Sequence, residues 1–100
     1  MIRGTTPTHV FRFPFDTGLL KDLRITYAQN GETVVERSLT DCDLNGNELS
    51  FILTQEETLR FSDDVRVERQ IRALKTNGKV FATDVEYMSV ARVLNEEVLT

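Results

Sequence analysis

The side chains best suited to catalysis in this 100-residue chain are those of its one histidine and its one cysteine. His9 shares a predicted strand face with Phe11 and Phe13, a position typical of a histidine at the rim of a core. Cys42 lies between two aspartates, and neighbouring negative charges raise the pKa of a thiol instead of activating it. Covalent catalysis requires a nucleophile with a base beside it. The sequence therefore predicts no catalytic residue and a protein that is not an enzyme.

A calcium loop is the most tempting metal motif. Asp41-x-Asp43-x-Asn45-Gly46 copies the first half of an EF-hand loop, but the twelfth position, where the loop needs a bidentate glutamate, holds Ile52. The flanking segments are predicted strands instead of helices, and the Asn-Gly pair is explained by a hairpin turn. One cysteine and one histidine are too few for zinc. We expect no metal site and no cofactor, with calcium at the two aspartates as the open alternative.

Composition narrows the class of partner. The net charge is −4 and the sequence pI is about 4.9, whereas nucleic-acid binders carry a basic face. Arginines near residue 70 alternate with acids, which indicates a mixed solvated surface. No apolar run approaches the roughly 18 residues of a membrane span, and residues 1–7 lack the apolar centre of a signal peptide. We expect synthesis in a cytoplasm, and no nucleic acid, membrane or small-molecule substrate as partner.

Hydrophobic residues alternate with a period of two along most of the chain, which is the strand signal. The first strand lies between Pro7 and Pro14, and this predicts an edge or bulged strand. Asn-Gly pairs at Asn30, Asn45 and Asn77 predict hairpin turns. The predicted strands are residues 8–15, 22–29, 33–39, 48–53, 65–74 and 80–90.

Two segments depart from this period. Thr54-Gln55-Glu56-Glu57 matches a capping box and predicts a short helical turn within residues 54–61. Near the C-terminus Val90, Val93, Leu94 and Val98 are spaced by three and four, which predicts a short amphipathic helix or a docked tail.

Hairpins joined by short loops indicate an all-β fold, namely an antiparallel immunoglobulin-like β-sandwich formed by one domain over residues 1–100. A small barrel is the alternative. Arg69 breaks the pattern, because it occupies the strand face that otherwise carries apolar residues, namely Val65, Val67, Ile71 and Ala73. It is expected to snorkel at a sheet edge, to mark a bulge, or to pair with a carboxylate such as Asp84.

Several motifs together resemble a known group of proteins. They are Thr6-Pro7, Phe13-Pro14-Phe15-Asp16, Ile25-Thr26-Tyr27-Ala28-Gln29-Asn30, Leu53-Thr54-Gln55-Glu56-Glu57-Thr58-Leu59-x-Phe61 and Val93-Leu94-Asn95-Glu96-Glu97-Val98. This set resembles β-rich proteins of about a hundred residues encoded in phages and prophages of gut Firmicutes, over essentially the whole chain. The chain is also distantly similar to the N-terminal β-domain of phage upper-baseplate proteins. The motifs are caps, turns and core positions, so the resemblance carries no functional residue over.

The resemblance implies a phage tail or baseplate component, present in the virion in several copies and bound to other phage structural proteins. The residues expected to contact a partner, or to pack as a terminal clasp, are Val90, Val93, Leu94, Val98 and Leu99. The alternative is a small acidic phage protein that binds and inhibits a host factor. In that role the acids would imitate nucleic acid, and their interleaving with arginines weakens that interpretation.

Overall fold

The computed structural model describes all residues, 1–100, and arranges them in two antiparallel sheets. Strands hold 47 % of the residues and helices 11 %, so the chain is mainly β, as its alternation predicts. The elements in chain order are β1 (Thr8–Arg12), β2 (Leu20–Gln29), β3 (Glu32–Ser38), β4 (Asp43–Asn45), β5 (Glu48–Ile52), α1 (Gln55–Leu59), β6 (Val67–Lys75), β7 (Val80–Ala82) and β8 (Glu86–Met88). Two 3₁₀ turns, Thr17–Leu19 and Leu39–Asp41, complete them.

The smaller sheet has the strand order β1-β5-β4, and the larger has β3-β2-β6-β7 with β8 also paired to β6. These are two separate sheets with free outer strands, in place of the closed sheet that the barrel alternative requires. β1 is an outer strand, as expected. It ends at Arg12 instead of residue 15, before Pro14, which has no N–H to give to a ladder. None of the helices has the length and hydropathy of a membrane-spanning helix.

Residues with positive φ form the tight turns that join the strands of the hairpins. Asn30 and Gly31 have φ values of 51° and 78°, which a type I′ turn requires at both central positions. Gly46, between β4 and β5, has φ of 60°. The predicted hairpin β2–β3 is therefore confirmed. The turn predicted at Asn45-Gly46 is also present, but it joins β5 to β4, a short strand that the sequence did not predict.

The two sheets share one core of 15 buried apolar residues. β2 and β6 supply its centre, where Ile25 lies opposite Ile71. Leu49 of the smaller sheet and Leu53 just after it have no exposed surface, and Phe61 is 1 % exposed. Burial of alternate side chains from both sheets is the main stabilising contribution.

The predicted helical turn is confirmed as α1. The Thr54 hydroxyl accepts from the Glu57 N–H, and the Glu57 carboxylate accepts from the Thr54 N–H. The same carboxylate pairs with Arg37 of β3, and this guanidinium holds the pKa of Glu57 below its usual range. One glutamate thus caps the helix and ties it to the larger sheet.

The single strand predicted over residues 80–90 is wrong, because it divides into β7 and β8. Val80 pairs with Leu74, but Glu86 pairs with Arg69, so the register moves by one residue between the two segments. Thr83 lies at the break, where its hydroxyl accepts from the Ile71 N–H and replaces a backbone acceptor. A residue inserted in this way is a bulge, and bulges end regular pairing.

No helix forms at the C-terminus, so of the two forms predicted there the docked tail is the one present. Ala91 bonds through its N–H and C=O to the first residues of the chain. The Asn95 side chain then accepts from the Glu97 N–H, a local turn that competes with helix formation. The backbone N–H groups of Ala91, Glu97 and Leu99 are therefore bound to Met1, Asn95 and Gln55 instead of to the carbonyls of a preceding helical turn.

The effect of a leucine-to-alanine substitution on the free energy of unfolding should distinguish core positions from surface positions. We expect Leu49→Ala, at a position with no exposed surface, to lower the free energy of unfolding by about 2–5 kcal/mol. Leu94→Ala, at a position 90 % exposed, should change it by less than about 0.5 kcal/mol. Urea unfolding of both variants measures this, and equal losses would contradict the core described above.

Candidate functional site

His9 lies at the rim of the core, as its strand face predicts. Its ring stacks on Tyr27 with the ring centroids 5.5 Å apart and meets the edge of Phe51 at 5.8 Å. Its Nδ1 is hydrogen-bonded to the Tyr27 hydroxyl. Burial, with repulsion from Arg69, lowers the pKa of His9 to about 4, and burial raises the pKa of Tyr27 to about 12. Both groups are neutral at pH 7, so the hydrogen bond joins an uncharged imidazole to an uncharged phenol, and the tautomer of His9 sets which of them donates.

Arg69 is on the core face, directly opposite Tyr27, with a side chain only 13 % exposed. Its guanidinium lies 4.3 Å from the centroid of the Phe11 ring, and Nη2 donates to Glu86 at 3.0 Å. The expected partner Asp84 is wrong, because the register change between β7 and β8 places Glu86 opposite the arginine. Arg69 thereby joins β1 of the smaller sheet to β6 and β8 of the larger one.

These four polar residues, His9, Tyr27, Arg69 and Glu86, form what we call the inter-sheet clamp. None of the five surface depressions is lined by His9 or Tyr27. A general base needs reach to a substrate proton, whereas here the imidazole nitrogen faces the tyrosine hydroxyl. The arrangement is suited to holding the two sheets together.

The other residues considered for catalysis or metal binding, Asp41, Cys42 and Asp43, are not part of the clamp. The Asp41 carboxylate accepts from the Ser38 N–H and hydroxyl, which closes the 3₁₀ turn after β3. Burial, followed by repulsion from Asp41, raises the pKa of Cys42 to about 11, the direction that its acidic neighbours predict. Asp43 begins β4. No three His, Cys, Asp or Glu side chains are close enough together to hold a metal ion.

Residues 91–100, which we call the C-terminal tail, are fixed against the first residues of the chain and against α1. Val93 lies beside Gly4 and Leu59. The Arg3 guanidinium donates to the Leu59 carbonyl and to the Glu96 carboxylate.

Near the end of the tail, the Gln55 side-chain amide donates to the Leu99 carbonyl and accepts from its N–H, both at 2.9 Å. The tail is therefore attached through the backbone of Ala91 and Leu99 and through the side chains of Val93 and Glu96, which leaves the Leu94 and Leu99 side chains free.

The five residues expected at an interface are placed unequally. Val90 is buried in the domain's own core, and Val93 and Val98 are half-buried. Leu94 is 90 % exposed and Leu99 is 73 % exposed. The structure therefore brings only the two leucines to the surface as apolar contact groups.

Sequence reasoning did not identify Arg3 and Gln55 as the residues that hold the tail. Their partners are 93 and 44 positions away along the chain, so no local pattern marks them.

Comparisons of the chain with protein-family models, with curated proteins and with solved structures find no match. Its surfaces and buried groups are therefore the basis for assigning a function.

Protonation of His9 should destabilise the fold. The folded-state pKa of about 4 lies below the ordinary 6.5, so the unfolded chain binds an extra proton between these pH values and stability falls as the pH drops through this window. We expect the wild type to lose about 1–2 kcal/mol more between pH 7 and pH 4.5 than His9→Gln, an amount reduced for partial exposure. Urea unfolding at several pH values tests this, and identical pH profiles would contradict it.

Arg69 should not tolerate lysine. An ammonium group cannot both lie flat on Phe11 and keep the Glu86 contact, so Arg69→Lys should lower the free energy of unfolding by about 1–2 kcal/mol. Arg72→Lys, on the exposed face of the same strand, is the matched control and should cost less than about 0.5 kcal/mol. Equal effects in thermal unfolding would show that Arg69 is not a clamp residue.

Proposed function

We propose that this protein is an assembly component that acts through protein–protein contacts. Following the resemblance in its sequence, we place it in the tail or baseplate of a phage particle, made in the host cytoplasm and present in several copies. The observation that carries the proposal is the pair of exposed leucines, Leu94 and Leu99, on a tail whose backbone is held in place.

Leucines exposed on a fixed segment differ from leucines on a mobile one. Gln55 holds the backbone of Leu99 and Arg3 holds the Glu96 side chain before any partner arrives, so little conformational entropy is lost on binding. Burying a leucine side chain fully contributes about 1.5–3 kcal/mol. Two such side chains on a preorganised segment make a protein contact the best-supported use of this surface.

The fold of a chain this short also benefits from neighbours. A domain of this size buries roughly 65 % of its unfolded surface, and only 15 apolar residues form the core here. Binding to the native state adds stability by mass action. A component surrounded by other subunits would gain from this.

We also propose that the two-sheet architecture is of the immunoglobulin-like type. Its support is two antiparallel sheets with a common core, with β1–β2, β3–β4 and β5–β6 connections that each pass from one sheet to the other. In such sandwiches the mean strand directions of the two sheets differ by about 30°. A near-perpendicular crossing measured in a crystal structure would overturn this assignment.

The alternative role, an acidic inhibitor of a host factor, is less well supported. Acids imitate nucleic acid when they form a continuous negative surface. Here surface acids alternate with arginines, as in the ion pairs Arg12–Glu48 and Arg24–Asp22. Because the surface charges are mixed, imitation of nucleic acid is the weaker explanation, and the assembly role is preferred.

Purified particles provide the test. We expect mass spectrometry to detect the wild-type chain in particles and to show about a tenfold or greater loss of the double variant Leu94→Ser, Leu99→Ser, because two buried leucines are worth more than 1.4 kcal/mol. The matched control is Val10→Ser with Ile52→Ser, which removes two aliphatic side chains, 49 % and 58 % exposed, from the smaller sheet.

The proposal requires that the control variant, Val10→Ser with Ile52→Ser, is incorporated into particles at the level of the wild type. Absence of the wild type from particles, with recovery as a soluble monomer bound to a host protein, would support the inhibitor instead.

A further inference from the structure

The outer face of the larger sheet carries a shallow apolar groove. Leu74 and Val80 face each other across the β6–β7 pair and form its apolar surface. Leu23 and Ala73 also border it, but their side chains are buried in the core on the other face of the sheet. Its volume is about 190 Å³, and Val80 is 59 % exposed. Cavities of roughly 150 Å³ accept a benzene-sized group, so the groove has room for one leucine side chain.

An unbalanced positive charge lies beside this groove. Arg72 of β6 is directly opposite Arg24 of β2, and like charges in this position repel each other. Arg24 is compensated by Asp22 at 2.8 Å and by Glu36 at 4.0 Å. Arg72 has no ion pair or side-chain hydrogen bond, although both arginines line the groove. The groove therefore suits a ligand that combines an aliphatic group with a carboxylate.

The C-terminal tail presents this combination. Leu94 is 90 % exposed, and Glu97, three residues further on, is exposed with a carboxylate that makes no ion pair. Glu96 is the tail acid that is already used, by Arg3. The groove and the tail are thus complementary in both hydrophobicity and charge.

The two surfaces lie toward opposite ends of β6. β7 and the groove adjoin Leu74 near its end, whereas β8 pairs with Val67 at its start and leads into the tail through Val90. Within one chain Gln55 fixes the end of the tail to α1. Glu57 ties α1 to Arg37, which lies opposite Ile25 on the core face of the larger sheet, whereas the groove lies on the outer face. A contact between them therefore joins two copies.

We infer that the tail of one copy docks into the groove of the next, with Leu94 in the groove and Glu97 against Arg72. This inference rests on the proposed function and names a second copy of the chain as the partner. Because the contact uses two different surfaces, it is head-to-tail, and repetition generates a ring where the rotation closes and a filament where it does not.

A charge reversal with rescue tests the pairing. Sedimentation velocity over a range of concentrations should show association of the wild type and an approximately tenfold weaker association for Arg72→Glu or Glu97→Arg. The double variant carrying both reversals should recover most of the lost affinity. Arg66→Glu, at an exposed arginine just before the start of β6, is the control and should associate like the wild type.

A mixing experiment tests the head-to-tail geometry. Val80→Asp removes the groove and Leu94→Asp removes the tail contact, so each variant alone should be a monomer. Mixed together, they retain one intact groove and one intact tail, and they should form a 1:1 dimer and nothing larger. Both positions are exposed, and circular dichroism confirms that each variant is folded.

Three outcomes would overturn the inference: a wild type that is monomeric at all concentrations, an association unaffected by Arg72→Glu, or mixed variants that remain monomeric. Each leaves the particle experiment independent. If the chain were present in particles but did not self-associate through this contact, the assembly role would stand with a different partner for the tail.

Discussion

The antiparallel pairing of β2 with β6 is the constraint on which the rest of the molecule depends. Its register sends Ile25 and Ile71 together into the core, and one residue earlier on β2 it sets Arg24 against Arg72 on the outer face. A slip by one residue would exchange the two faces, and the hydrophobic core prevents it. The repulsion between the two arginines is therefore a consequence of the packing that folds the protein, and a partner's carboxylate would relieve it.

The smaller sheet depends on a different kind of interaction. β1 has five residues between two prolines and pairs only with β5, so side chains must hold it against the larger sheet. Arg69 does this through Phe11 and Glu86. Burying a cation carries a large desolvation cost. The aromatic face and the carboxylate offset that cost only when both sheets are correctly placed, which makes the clamp a device for specifying one packing arrangement.

Sequence reasoning succeeded where structure is decided locally. Alternation and Asn-Gly pairs predicted the hairpins, and the capping box predicted α1, because these signals act over a few residues. It failed where a distant group decided the outcome. The Thr83 hydroxyl took a ladder position on β6, which moved the register and gave Arg69 a different partner. The same holds for the tail, whose local spacing indicated a helix or a docked segment and whose form was decided by Gln55.

The free edges of the larger sheet explain why association would use the tail and groove instead of strand addition. β3 has a bulge opposite Tyr27 and Ala28, and its edge carries Glu36 and Arg37. The opposite edge is divided into β7 and β8. Bulges, charges and short strands are the features by which proteins prevent edge-to-edge pairing. With backbone pairing disfavoured at both edges of the larger sheet, the proposed assembly would take its direction and geometry from side-chain surfaces, the groove and the tail.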